Sequence, residues 1–304
     1  MPGSEWSLVV FTLLAQAGVG TLVTGEILGW VVCKKAGADI KSHLIFRTRL
    51  TAFIFTAAGL ALSFLHLGNP LKAFNALNNL RSSWLSREIL AAVVFLFLLI
   101  VSILLTWKRK SSGKATKTVV IAAVFAGLYL ILAMSLLYML PGVLSWDHII
   151  TPASFFTTTF LLGFMTAGVF SITEIKSFST LSEKQLNSSG FFTALKTALN
   201  TTFILASIQI FFAIINSLRI HNYKDIYSSF GSSLLLEHRF LFSLRTILLL
   251  AGMVLIFLTQ IKSNSRNNPS KVLLWFYYSA LAFILISEIL SRHLFYVLFY
   301  RSGL

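Results

Sequence analysis

The sequence predicts an all-α polytopic membrane protein of about eight transmembrane helices, and three observations predict it. Of its 304 residues, 56% are hydrophobic and only 12% are charged, with a mean hydropathy of +0.81. A soluble domain of this size would carry far more polar surface. Apolar windows long enough to cross hydrocarbon, roughly 20 residues each, recur along the whole chain. Within them the apolar residues run continuously instead of alternating, which selects helices over a barrel, the two forms that satisfy every backbone group in lipid. The chain reads as one transmembrane helical domain over residues 1–304, with no soluble domain, long linker or low-complexity tract.

The first span, Trp6–Val32, has no basic residue before it and Lys34-Lys35 directly after it. It reads as a retained span with its N-terminus outside, not as a cleaved signal peptide. The second, Phe46–Leu67, stops at Gly68-Asn69-Pro70. The third, Ser86–Trp107, stops at Lys108-Arg109-Lys110, and the fourth, Thr118–Leu140, at Pro141-Gly142. The fifth, Pro152–Ile175, opens on a proline, which the first helical turn tolerates because its N–H has no intrahelical partner to lose. Phe191–Ser217, Phe240–Ile261 and Leu273–Leu298 complete the set.

The formal net charge is +15. In a soluble protein this would suggest nucleic acid; here the basic residues gather in short loops, where they set topology and meet anionic lipid. Lys34, Lys35, Lys41, Arg47 and Arg49 follow the first span. Lys108, Arg109, Lys110, Lys114 and Lys117 follow the third, Lys176, Lys184 and Lys196 the fifth, and Lys262, Arg266 and Lys271 the seventh. These loops are expected on the cytoplasmic side, with both termini outside.

Titratable residues gather at the other face. His66, His148, His221, His238 and His293 fall at the expected outer ends, as do Asp147, Asp225 and Glu237; only His43 falls inside. Costly polar groups in a membrane protein mark functional sites. The most informative stretch joins the second and third spans. Asn69-Pro70 reads as an N-cap and first helical position. Leu71, Phe74, Leu77, Leu80 and Trp84 then recur at helical spacing, opposite Lys72, Asn75, Asn78, Asn79 and Arg81. This predicts a short amphipathic helix lying in the outer interface, or a connector floating on the headgroups. His66 stands on the last turn before it and Glu88 on the first turn after it, at one membrane depth. An imidazole and a carboxyl so placed can hydrogen-bond the two oxygens of a quinol and accept its protons. The same residues also suit plainer roles, Glu88 as an acid complementing the helix dipole and His66 as a helix-end imidazole on a backbone carbonyl.

In the last span Glu288 and Arg292 are four residues apart and can pair on one helix face, either as a structural pair or as part of an outer polar cavity. Arg239 and Arg245 flank the outer end of the seventh span and can join it. Glu26 is expected to reach towards the region of Lys34 or Arg47 without chemistry of its own. No histidine lies in mid-membrane to ligate haem, and a lone cysteine, Cys33, holds neither a disulfide nor an iron–sulfur cluster. There is no P-loop and no G-x-G-x-x-G. If the chain handles electrons, a partner carries the redox centres.

These motifs resemble the membrane anchor subunit of bacterial anaerobic dimethyl sulfoxide reductases over nearly the whole chain. The resemblance is carried by Glu5-Trp6, Leu65-His66-Leu67-Gly68-Asn69-Pro70, Lys72-Ala73-Phe74-Asn75-Ala76-Leu77-Asn78, and Leu85-Ser86-Arg87-Glu88-Ile89. It continues in Thr151-Pro152-Ala153-Ser154-Phe155-Phe156 and in Glu288-Ile289-Leu290-Ser291-Arg292 followed by Phe295-Tyr296. It implies an eight-helix anchor with outer termini in the bacterial inner membrane. It also implies a complex with a molybdopterin catalytic subunit and a [4Fe–4S] electron-transfer subunit, in which the anchor oxidises menaquinol during anaerobic respiration and carries no haem or cluster itself. The family's quinol-site histidine and glutamate map to His66 and Glu88. The expected quinol-binding set is these two with Arg81, Arg239, Glu288 and Arg292. Where the family has glycine near the end of the last span, this chain has His293. A secondary transporter and a purely structural anchor are the competing readings; the spans show no matched pair interrupted by glycine or proline, as a transporter would.

Overall fold

The computed structural model describes residues 4–33, 38–64, 78–107, 113–143, 145–179, 185–222, 235–265 and 271–299. It is built from eight long helices: α1 (Ser4–Cys33), α2 (Ala38–Phe64), α3 (Trp84–Trp107), α4 (Lys114–Leu137), α5 (Ile150–Ser179), α6 (Gln185–Asn222), α7 (Arg239–Ser265) and α8 (Lys271–Val297). All eight are long and apolar enough to cross a membrane, as the apolar windows predicted. Two depart usefully from the predicted spans. Helix α2 begins eight residues before Phe46. Helix α6 has 38 residues, about 57 Å at 1.5 Å per residue, so it extends past the hydrocarbon layer.

Helices α1–α4 pack as one half and α5–α8 as the other, joined mainly by α1 against α5. Each half has its own apolar core. Phe11, Val19, Phe95, Leu99, Leu130 and Met134 fill the first; Leu161, Met165, Phe191, Leu249, Tyr277 and Ile284 fill the second. Where α1 crosses α5, Gly20 and Gly163 let the backbones touch: a Cβ built on Gly163 would stand 2.5 Å from the carbonyl carbon of Gly20. Small residues at a crossing are how helices approach closely in lipid, where no hydrophobic force drives them together. Thr21 and Thr166 share a hydroxyl hydrogen bond of 2.9 Å across the same seam.

With an even number of spans, both ends of the described chain lie at one face, together with the α2–α3, α4–α5 and α6–α7 connections. We call it the terminal face. A small cluster of Val9, Val143, Trp146 and Tyr296 seals it. Gly142, with φ 89°, makes the turn after Pro141 that a side-chain-bearing residue would resist. The turn carries Ser145 and Trp146 back over the end of α8, where they donate to the Leu298 carbonyl (2.8 Å) and the Phe295 carbonyl (2.7 Å). Carbonyls at a helix C-terminus have no intrahelical partner, so the α4–α5 connection satisfies α8.

Candidate functional site

Glu88 is the fifth residue of α3, about 6 Å along it, and is 4% exposed. Its Oε2 is buried with no hydrogen-bond partner among the described residues. The turn before it is rigid: Arg87 donates through Nε to the Leu80 carbonyl (2.9 Å) and through Nη2 to the Arg81 carbonyl, and its guanidinium lies 4.3 Å over the Trp84 ring. Arg87 thus folds back on the connector and leaves Glu88 facing inward. The described part of that connector, residues 78–83, is a short helical turn and further turns, with Arg81 exposed. His66 and the remainder of the predicted amphipathic helix lie outside the described residues.

Two phenols stand within electrostatic reach of Glu88. Tyr138, just past α4, and Tyr296, on the last turn of α8, share a hydrogen bond of 2.8 Å between their hydroxyls. Burial first, then Tyr296 and Glu88, push the Tyr138 phenol well above its ordinary range, so it stays neutral. Tyr138 sits in an aromatic nest of Trp146, Phe155, Phe295 and Tyr296, with ring centroids 5.2 to 5.9 Å away.

Arg292 lies behind these phenols, 6% exposed. Its guanidinium stacks 3.8 Å over Phe155, donates from Nη2 to Gln16 Oε1 (3.0 Å) and keeps Nε without a partner among the described residues. Gln16 in turn donates to the Phe155 carbonyl (3.0 Å). The expected pairing of Glu288 with Arg292 along α8 is not how either is bonded. Glu288 Oε2 instead accepts from Thr158 (2.7 Å), whose hydroxyl accepts from Gln209 (2.7 Å). Neighbouring α1 and α5 offer each side chain a cross-helix partner, and those contacts outcompete the intrahelical one. Glu288 still feels Arg292 and the buried Arg245 electrostatically. Arg239 is exposed at the start of α7 and meets none of these groups. His293 stacks on Trp6 at 4.8 Å with its Nδ1 buried and unpartnered among the described residues.

Of the predicted set, Glu88 and Arg292 come together around the tyrosine pair, with Glu288 one layer deeper and Arg81 and Arg239 peripheral. Sequence reasoning missed Gln16, Gln209, Thr158, Tyr138 and Tyr296. The available signal was an uncharged amide in the middle of an apolar span, costly in lipid unless it has a partner. At the opposite face, Glu26 reaches into the region of Arg47, and Lys34 lies outside the described residues. Glu26 pairs with Arg49 at 2.8 Å, while Arg47 pairs with Glu174 at 2.6 Å. Arg49, expected in a cytoplasmic loop, is 4% exposed and also donates to Thr106 (2.6 Å). It lies on the side of α2 that meets Glu26 of α1 and Thr106 of α3.

A family model described as DMSO reductase anchor subunit (DmsC) matches residues 2–298. The chain is 32% identical over 159 residues to anaerobic dimethyl sulfoxide reductase chain YnfH of Escherichia coli (strain K12), covering 52% of this chain and 55% of that one. It is 29% identical over 163 residues to another anaerobic dimethyl sulfoxide reductase chain of the same organism, again 52% and 55%. A shorter match, 34% over 96 residues, joins it to a sulfite dehydrogenase subunit of Allochromatium vinosum, covering 31% and 29%. The chain thus spans about half the length of the dimethyl sulfoxide reductase relatives it matches.

Proposed function

The chain belongs to the DMSO reductase anchor subunit family, and on that premise we propose that it oxidises menaquinol in the bacterial inner membrane and passes the electrons to an iron–sulfur partner. The partners would be a [4Fe–4S] electron-transfer subunit and a molybdopterin catalytic subunit, as the family resemblance implies. The observation that carries the reading is the buried Oε2 of Glu88 at the terminal face, unpartnered among the described residues, with a hydrogen-bonded tyrosine pair within its electrostatic reach. A buried polar atom without a partner costs about 1–3 kcal/mol, and a ligand hydroxyl at that position would repay it.

Oxidation of the quinol releases two electrons and two protons. Glu88 accepts one proton and His66, across the connector, the other. Arg292, held by Gln16 and Phe155, favours the developing quinol oxyanion. The electrons leave through the partner subunit. Among the described residues all eight helices are continuous, which gives the transporter reading no support.

The test uses membranes carrying the assembled complex. Glu88→Gln and His66→Ala are each expected to cut quinol-driven reduction of the terminal acceptor by about 100-fold or more, the scale of a lost general base. Reduction driven by a soluble dye that feeds the partner subunits directly should be unchanged. Wild-type quinol rates in both variants, with normal assembly, would remove these residues from the reaction.

A further inference from the structure

A second feature lies deeper in the bilayer. A groove of about 440 Å³ runs between α2 and α8 over a floor of α1 and α5. That volume is within the range of small-molecule sites. Its floor includes Ala17, Leu162 and Met165, and its rim residues Val10, Leu285 and Ile289 are each more than a third exposed. None of Glu88, Tyr138, Tyr296 and Arg292 lines it. Its one ionisable lining residue is Glu288, 2% exposed, about 14 Å inside the end of α8. Thr158 holds Glu288 Oε2, while Oε1 is buried without a hydrogen-bond partner among the described residues.

We infer that this groove is a second binding site for an isoprenoid quinone, separate from the one at Glu88. The chemistry narrows the occupant. A molecule that enters here comes from the hydrocarbon layer, because the exposed rim is apolar and runs from Val10, about 6 Å inside the span of α1, to Leu285 near the middle of the span of α8. A phospholipid cannot bring its headgroup to this depth, and its acyl chain would leave Oε1 unanswered. The groove instead suits a ligand that is nearly all hydrocarbon with one compact hydrogen-bonding group, which is the description of a quinone ring on an isoprenoid tail. The Thr158–Gln209 chain fixes the carboxyl, so the group meeting the ligand is already oriented. The inference concerns binding, and no electron transfer is assigned to it. It rests on the proposed function only for the choice of quinone as ligand class.

The test is equilibrium binding of a short-tailed naphthoquinone to the purified full chain in lipid nanodiscs, followed by quenching of intrinsic fluorescence. Wild type is expected to bind two equivalents. Leu285→Trp on the rim and Ala17→Phe on the floor should each leave one, and Glu288→Leu should weaken one class by about five-fold, the scale of a single hydrogen bond. Glu88→Gln should weaken only the other class. A single equivalent in wild type, unchanged by all three groove variants, overturns the inference. Loss confined to the groove variants, with Glu88→Gln silent, would sustain the groove and sink the Glu88 reading instead. Leu285→Trp, on the exposed rim, keeps the test open should Ala17→Phe fail to fold.

Discussion

His148 accepts a hydrogen bond from the Ile150 amide through Nδ1 at 3.2 Å, so it caps α5 only while that nitrogen is unprotonated. Burial first, and then the nearby Arg219 cation, lower its pKa from the ordinary 6.5, against a smaller opposing pull from Asp147. A depressed histidine pKa means the native state prefers the neutral ring. Its contribution is therefore complete above pH 6.5 and is lost as pH falls through the lowered folded value. Exchange of the Ile150 amide is expected to accelerate below that point, relative to neighbouring amides, and His148→Ala should remove the extra pH dependence. An unchanged pH profile in the variant would refute the cap. At this scale the sequence was partly legible. Glu88 stood out because it stands opposite His66 across one connector, at one membrane depth, although a helix-dipole role suits it as well. Arg49 did not, because its place in the chain groups it with the loop cations, and only the packing of α1 and α3 against α2 shows it buried against Glu26 and Thr106. Gln16 and Gln209 carry no charge to mark them, although a buried amide is as demanding of partners as a charge is of counterions.

The crossing of α1 and α5 is the element on which the two halves depend. A side chain at Gly163 would drive into the Gly20 backbone, and backbone cannot yield as a flexible side chain can. Gly163→Leu is expected to cost about 3 kcal/mol or more, at the upper end of overpacking, seen as a fall in the unfolding midpoint in detergent. Gly29→Ala is the control, since its Cβ would meet only the Ile45 side chain at 3.6 Å, ordinary contact. Equal loss in both variants would mean the crossing is not special. The helices themselves were readable because apolar length, Gly68-Asn69-Pro70, Lys108-Arg109-Lys110 and Pro141-Gly142 are local signals. Which helix sits at the centre was not readable. Hydropathy is higher in α3 and α4, the lipid-facing helices, than in α1 and α5. Burial by other helices relaxes the demand for apolar side chains, and Thr12, Gln16, Thr21 and Thr24 of α1 are all fully or almost fully buried.

For the whole molecule, exposed residues at the two faces report its orientation. Asp147 is exposed at the terminal face and Lys114 at the other. The basic loops predict that the terminal face is outside. With Cys33→Ser as background, a membrane-impermeant maleimide added to intact cells is expected to label Asp147→Cys and to miss Lys114→Cys until the cells are opened. The opposite pattern would invert the topology and place the proposed quinol site at the cytoplasmic leaflet. The central position of α1 also bears on how the protein is made. Helix α1 leaves the ribosome before the other seven, and its polar groups answer residues far along the chain: Gln16 bonds to Phe155 and to Arg292, 139 and 276 positions later, and Thr21 to Thr166. Until α5 and α8 have been made, α1 waits in lipid with these hydrogen bonds unmet. A chain interrupted before α8 therefore displays its defect at α1, where a membrane protease or chaperone can read an unfinished product.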